Sequence, residues 1–221
     1  MKRTAIIVAG GSGSRLNSDI PKQFLLLNFK PILFYSIERF AACSAEIILV
    51  MNAQYLNYWN ELISKYNLTV PHALINGGDV RAQSVLNGLR AVQSMDGIVA
   101  VHDAARPLVS EKLINHCYDA CQVNGSAIPI IPVADSIRNI TSRKNKAVNR
   151  DEYFLVQTPQ CYPASELMAA FNKVEYRKFT DEASMMEAVG YTNFMVHGEA
   201  DNFKITRERD LLIANAICKG I

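Results

Sequence analysis

Four short runs of aliphatic and β-branched residues, "TAIIVA", "EIILVM", "GIVAVH" and "SAIPIIPV", punctuate the chain. Between them lie longer segments whose apolar residues recur at helical spacing. That alternation predicts an α/β architecture built on a mostly parallel sheet. "KPILFYSIERFAAC" places Pro31 at a first helical position and offers Leu33, Phe34, Ile37, Phe40 and Ala41 as a sheet-facing stripe. "DVRAQSVLNGLRAV" does the same through Val85, Leu89 and Val92.

Beyond Val133 the pattern changes. "ADSIRNITSRKNKAVNRDEYF" alternates polar and apolar residues around a basic, turn-like "SRKNK", which predicts a hairpin arm at about residues 134–153. Its flanks hold too little apolar surface for a free hairpin, so it is expected to rest on a second subunit. Later, Thr180 is expected to cap a helix whose first turn carries Asp181 and Glu182. Thr206 is expected to cap a terminal helix with apolar faces at Leu211, Leu212, Ala214, Ile217 and Cys218. No repeat or linker divides the chain, so residues 1–221 are expected to form one domain with the arm inserted.

Nearly half of the 221 residues are hydrophobic (49%), enough for a sizeable core. Lysine and arginine (23) barely exceed aspartate and glutamate (21), a balance that argues against a general nucleic-acid or membrane-surface binder and leaves basic groups to act locally. No apolar run has the length of a membrane span, and "MKRTAIIVAGG" is too short in its apolar part for a signal sequence. Five scattered cysteines, Cys43, Cys117, Cys121, Cys161 and Cys218, suit reduced thiols in the cytoplasm. Cys117 and Cys121 beside His116 do not have zinc-module spacing and are expected to be small buried side chains.

The candidate chemistry lies after the strands. "AGGSGSR" is a glycine-rich turn that brings backbone N–H groups close to an anion, although neither the P-loop nor the dinucleotide fingerprint is present. Arg15 and Lys22 add a planar fork and a point charge able to bracket a triphosphate; solvated loop charges are the plain alternative. "GGDVRAQS" precedes a helix, with Asp79 and Ser84 able to face a base or ribose, or Asp79 simply a cap. "VHDAARP" sets Asp103 near the carboxyl edge of the sheet, the place for a carboxylate that meets magnesium and phosphates, a turn or cap residue being the plain alternative, with Arg106 as a loop-orienting group and His102 structural. Late groups, Arg150, Thr180, Asp201 and Lys204, would serve a second phosphate. Nothing marks a serine or cysteine nucleophile, so direct phosphoryl chemistry is favoured.

The ordered set "AGGSGSR", "PKQF", "GGDVRAQSV", "VHDAARP", "VNR", "TPQ", "TDEAS" and "ADNFKIT" resembles the 2-C-methyl-D-erythritol 4-phosphate cytidylyltransferases over essentially the whole chain. The resemblance implies a Rossmann-like twisted sheet flanked by helices, a homodimer joined through the arm, and a magnesium (Mg2+)-dependent reaction of CTP with methylerythritol phosphate. It implies that Arg15 and Lys22 stabilise the transition state and that Arg150 and Lys204 position the polyol phosphate. Ala9, Gly10, Gly11, Gly13, Gly78, Asp79, Ser84, Ala104 and Arg106 match substrate-binding positions, and Asp103 and Asp201 the acidic, metal-associated ones. Ser136, where threonine is common, and Thr180 match acceptor contacts. Gly10, where alanine is frequent, gives the opening loop some likeness to ribitol 5-phosphate cytidylyltransferases, the alternative reading. A catalytically silent nucleotide-binding regulatory subunit, a third reading, would be expected to lack one of the four cations.

Overall fold

The computed structural model describes residues 1–10, 21–141 and 144–220. Its first half comprises β1 (Arg3–Val8), a ribbon of β2 (Leu26–Leu27) and β3 (Lys30–Pro31), α1 (Ile32–Ala41), β4 (Glu46–Met51), α2 (Leu56–Tyr66), β5 (Ala73–Asn76), α3 (Arg81–Arg90), β6 (Ile98–Asp103) and α4 (Glu111–Asn124). The second half comprises β7 (Ile128–Pro132), β8 (Arg138–Thr141), β9 (Lys144–Ala147), β10 (Phe154–Val156), β11 (Gln160–Pro163), α5 (Ala164–Lys173), α6 (Glu182–Ala188), β12 (Met195–His197) and α7 (Glu208–Lys219).

The central sheet has the order β11-β6-β1-β4-β5. Strands β6, β1, β4 and β5 are parallel, and β11 closes the β6 edge antiparallel. Successive strand residues point to opposite faces, and here both faces are covered. Ala5, Ile7, Leu49 and Ala100 meet α1, α2 and α4, around Phe34, Trp59 and Tyr118. Ile6, Val8, Ile48, Val50, Val99 and Val101 meet α3, α5 and α6, around Leu89, Leu167 and Met186. This two-sided burial is why the strand runs are apolar at consecutive positions. Helix α3 approaches the sheet closely at Gly88, where an added Cβ would lie 2.7 Å from Ile6 Cγ2 and 2.9 Å from Val50 Cγ2.

A second sheet, β10-β7-β12, and the β8–β9 hairpin complete the described strands. The hairpin is antiparallel, and every residue of β8 and β9 is exposed. The chain then leaves the hairpin for an uncovered apolar strand: Phe154, Leu155 and Val156 of β10 are 43–54% exposed, and Phe194 and Met195, across β7 at β12, are similar.

Several local expectations are corrected. Pro31 precedes the first turn of α1 instead of entering it, and the buried stripe ends at Phe40, leaving Ala41 exposed on the outward side. Helix α6 is capped by Asp181, not Thr180: the Asp181 carboxylate accepts from Ser184 N at 3.2 Å. Thr206 is not the cap of α7 either, because Asp210 reaches back to accept from the N–H groups of Thr206 and Arg207, both at 2.8 Å, and from the Thr206 hydroxyl. Helix α7 rests on the β2 ribbon by a narrow stripe through Leu211, Ala214 and Cys218, so Leu212 is 66% exposed. Cys117 and Cys121 are buried, as expected, and among the described residues no group of three His, Cys, Asp or Glu side chains converges on a metal position.

Candidate functional site at the strand ends

The chain runs β1, β4, β5 across one half of the sheet and then returns to the other side of β1 with β6. Such a reversal opens a crevice outside the carboxyl ends of the strands. A cavity of about 650 Å3 lies there, lined by Val8 to Gly10 at the end of β1, Asn52 and Ala53 after β4, Gly77 to Arg81 after β5, and Asp103 to Ala105 at the end of β6. Lys22, Gln23, Ser84 and Lys204 complete its wall.

The backbone of this wall is tied to the sheet. Ala9 N donates to Val50 O and Gly77 N to Met51 O, both at 2.7 Å. Ala104 N donates to Val8 O, and buried Gln23 donates through Nε2 to Ala9 O at 2.7 Å. The Ser84 hydroxyl joins the two glycine loops: it accepts from Gly78 N at 3.0 Å, donates to Val80 O at 3.3 Å, and sits where a Cβ on Gly10 would meet it at 3.3 Å. Gly78 has no room for a side chain, because its Cβ would lie 2.0 Å from Gln83 Cγ. Gln83 is itself held by the Tyr176 hydroxyl and by Asn87.

Asp103 is the electrostatic centre. Its Oδ1 accepts from Arg81 Nε at 3.0 Å and its Oδ2 from Lys204 Nζ at 2.8 Å, with Arg106 Nε 3.8 Å away. Burial alone would raise this carboxyl, but Arg81, Lys204 and Arg106 hold it far below the usual carboxylate range. Arg81 is fixed in turn by Glu182, whose two oxygens take Nη1 at 2.7 Å and Nη2 at 3.0 Å. Lys22 Nζ donates to Ile205 O at 3.0 Å, bringing two lysines to one wall. Behind the wall, His102 is fully buried: Nε2–H donates to Arg106 O and Nδ1 accepts from the Thr158 hydroxyl, both at 3.1 Å.

Of the residues singled out from the sequence, Ala9, Gly10, Lys22, Gly78, Asp79, Ser84, Asp103, Ala104 and Lys204 are brought together at the cavity. Gly11, Gly13 and Arg15 lie outside the described residues. Arg106 turns inward and serves the loop, donating to Asn202 O at 2.8 Å. Asp201 does not line the cavity; the chain turns so that Asn202 is buried and Asp201 faces a separate depression with Tyr35 and Arg39. Among the described residues Asp201 and Asp103 thus line different depressions. Ser136, Arg150 and Thr180 are exposed and off the cavity wall, with Arg150 donating to Ala134 O at the base of the hairpin. Sequence reasoning passed over Arg81, Gln23 and Asn52 as wall residues. For Asn52 and Arg81 the signal was position, since they stand in the segments that follow β4 and β5; Gln23 reaches the wall only through its hydrogen bond to Ala9 O.

The family described as 2-C-methyl-D-erythritol 4-phosphate cytidylyltransferase matches residues 3–220. A protein of that name from Azobacteroides pseudotrichonymphae is 44% identical, with 98% of each chain covered. One from Phocaeicola vulgatus is 42% identical over 98% of this chain and all of the other. The crystal structure of 4-diphosphocytidyl-2C-methyl-D-erythritol synthase from Anaerococcus prevotii superimposes with a TM-score of 0.84 at 27% identity, covering 99% of this chain and 98% of that one. The 2-C-methyl-D-erythritol 4-phosphate cytidylyltransferase of Francisella tularensis gives 0.81 at 32% identity, over 97% and 99%. The likeness thus holds both in sequence and in the placing of the strands whose ends frame the cavity, and the chain belongs to the 2-C-methyl-D-erythritol 4-phosphate cytidylyltransferase family.

Proposed function

We propose that this protein joins CTP to 2-C-methyl-D-erythritol 4-phosphate, releasing pyrophosphate and forming 4-diphosphocytidyl-2-C-methyl-D-erythritol for non-mevalonate isoprenoid synthesis. The observation that carries the reading is the cavity itself, which sets Lys22 and Lys204 on a wall made of backbone from four parallel-strand ends. A phosphate oxygen of the polyol phosphate attacks the α-phosphorus of CTP in line; a P–O bond forms, the α,β-bridging bond breaks, and pyrophosphate leaves opposite. At neutral pH the attacking phosphate is already anionic, so the protein's work is to hold two repelling anions together and neutralise charge.

In this reading Ala9, Gly10, Gly11, Gly13, Gly78, Asp79, Ser84 and Ala104 surround the nucleoside, and Lys22 with Arg15 brackets the triphosphate. Lys204, Arg150, Ser136 and Thr180 hold the acceptor phosphate. Arg150 and Ser136 stand at the base of the hairpin, off this chain's own cavity, so they are assigned to the cavity of a partner in a homodimer. The uncovered strand of Phe154, Leu155 and Val156 that follows the arm supports that assembly. The chain is read as one catalytic unit with residues 134–153 as its insertion, working in the cytoplasm.

Magnesium fits as an ion carried by the nucleotide. Both Asp103 oxygens already face cations, Arg81 and Lys204, so this carboxylate would offer the ion at most one ligand, in exchange for Lys204, and the rest of its oxygens would come from the phosphates. When bound, the ion supplies charge neutralisation of the triphosphate.

The test is pyrophosphate release with CTP, magnesium and either methylerythritol phosphate or ribitol phosphate. Turnover with the first is expected; turnover only with ribitol phosphate favours the related cytidylyltransferases, and none with either marks a silent nucleotide binder.

A further inference from the structure

Arg81 and Glu182 have no part in the reaction as set out above, yet they are joined to its centre. Arg81 comes from the start of α3 and Glu182 from the start of α6, and they are 101 residues apart. Glu182 has a side chain only 2% exposed and does not line the cavity. Its carboxylate takes both terminal nitrogens of Arg81, and the third nitrogen, Nε, donates to Asp103 Oδ1. A guanidinium is planar and rigid, so two nitrogens held by one carboxylate fix the direction of the third. Asp103 is thereby held on one oxygen, and its other oxygen holds Lys204 Nζ at 2.8 Å. Glu182, Arg81, Asp103 and Lys204 form a row of alternating charge that begins in the interior and ends at the cavity.

Neutralising Asp103 alone would not require Glu182. Lys204 and Arg106 already face Asp103, and burying a second carboxylate is costly unless its geometry is used. We propose that Glu182 and Arg81 are positioning residues that fix the orientation of Asp103 and, through it, the Lys204 ammonium for the incoming acceptor phosphate. The proposal rests on the assignment of Lys204 to that phosphate.

The test is a double-mutant cycle between Glu182→Gln and Lys204→Ala, read as kcat/KM for methylerythritol phosphate at saturating CTP. Glu182→Gln is expected to lower it about 10- to 100-fold, the size of effect that follows from misplacing a catalytic group by roughly 1 Å. In the Lys204→Ala background the same change is expected to add almost nothing, because coupled residues do not act independently. Undiminished activity of Glu182→Gln, or losses that multiply in full, would overturn the proposal. No effect of Lys204→Ala on acceptor use would instead remove the Lys204 assignment.

Breaking a buried ion pair on one side is strongly destabilising, so a second variant, Arg81→Met with Glu182→Leu, removes both charges together, a replacement that proteins often tolerate. It is expected to melt cooperatively like the parent and to lose acceptor use to the same extent. Full activity in that folded variant would refute the positioning role, whatever the fate of Glu182→Gln.

Discussion

Acidifying the solution from pH 7.5 to pH 5 should destabilise the protein by about 2 kcal/mol through His102 alone. Its ring is fully buried, packs 4.9 Å from the Phe40 ring, and uses both nitrogens, donating from Nε2 to Arg106 O and accepting at Nδ1 from Thr158. Burial pushes its pKa down to about 4, against the opposing pull of Asp103. In the unfolded chain the imidazole protonates near pH 6.5. Between these values the unfolded state binds more protons, so stability falls as the pH falls; at 1.36 kcal/mol per pH unit, pH 5 costs about 2 kcal/mol and pH 7.5 almost nothing. The Thr158 hydroxyl also accepts Asp103 N–H at 3.1 Å, so a proton forced onto Nδ1 disturbs the strand end that carries Asp103. The assay is urea unfolding at several pH values for the parent and for His102→Gln, which keeps a polar side chain but does not titrate. With a slope of about 2 kcal/mol/M, the parent's midpoint should drop by about 1 M between pH 7.5 and pH 5. Carboxylates titrate in both proteins and largely cancel in the comparison. Equal pH dependence in parent and variant, or a flat parent, would refute the reasoning.

Lys22→Ala should lower turnover about 10²- to 10³-fold, as for loss of one preorganised donor to developing charge, and steady-state pyrophosphate release measures it. Gly78→Ala should raise KM for CTP, because its Cβ would overlap Gln83 Cβ and Cγ and so displace the loop from the start of α3; an unchanged KM would show that the loop does not contact the nucleotide. If the arm joins two protomers, deleting residues 138–148 should lower the mass in solution by light scattering, and an unaltered mass would count against that role. Mixing Lys22→Ala with Arg150→Ala protomers should restore activity above either parent if the arm serves a partner's cavity, since one site of each mixed dimer is then intact.

The inner strands of the central sheet, β1, β4 and β6, were legible because burial on both faces makes them continuously apolar, as in "AIIV" and "IILV", whereas the edge strands β5, "ALIN", and β11, "QCYP", carry no such run. The run "SAIPIIPV", expected in the same sheet, instead supplies β7 of the smaller one, whose other strands, β10 and β12, are three residues each and carry almost no periodic signal. Caps were misread where a carboxylate one to four residues away outcompeted a threonine hydroxyl, as Asp181 and Asp210 do. At the site, Lys22, Ser84, Asp103 and Lys204 stand out because they belong to motifs beside strand ends. Glu182 does not, since its partner lies 101 residues earlier and no local pattern records such a pairing. The roles of Arg150 and Ser136 rest on resemblance alone, for nothing within one chain carries them to the cavity.

The partners of Asp103 come from residues 81, 106 and 204, so its surroundings are closed by chain segments as much as 101 residues away. Bringing such distant segments together costs loop-closure entropy, and the charged centre cannot be complete before residue 204 has joined it. No amino-terminal fragment holding the glycine-rich loop and Asp103 should therefore show partial activity: during synthesis the enzyme becomes competent only when the stretch around Lys204 has emerged and docked. A chain severed between β6 and Lys204 would regain function only if both pieces reassembled.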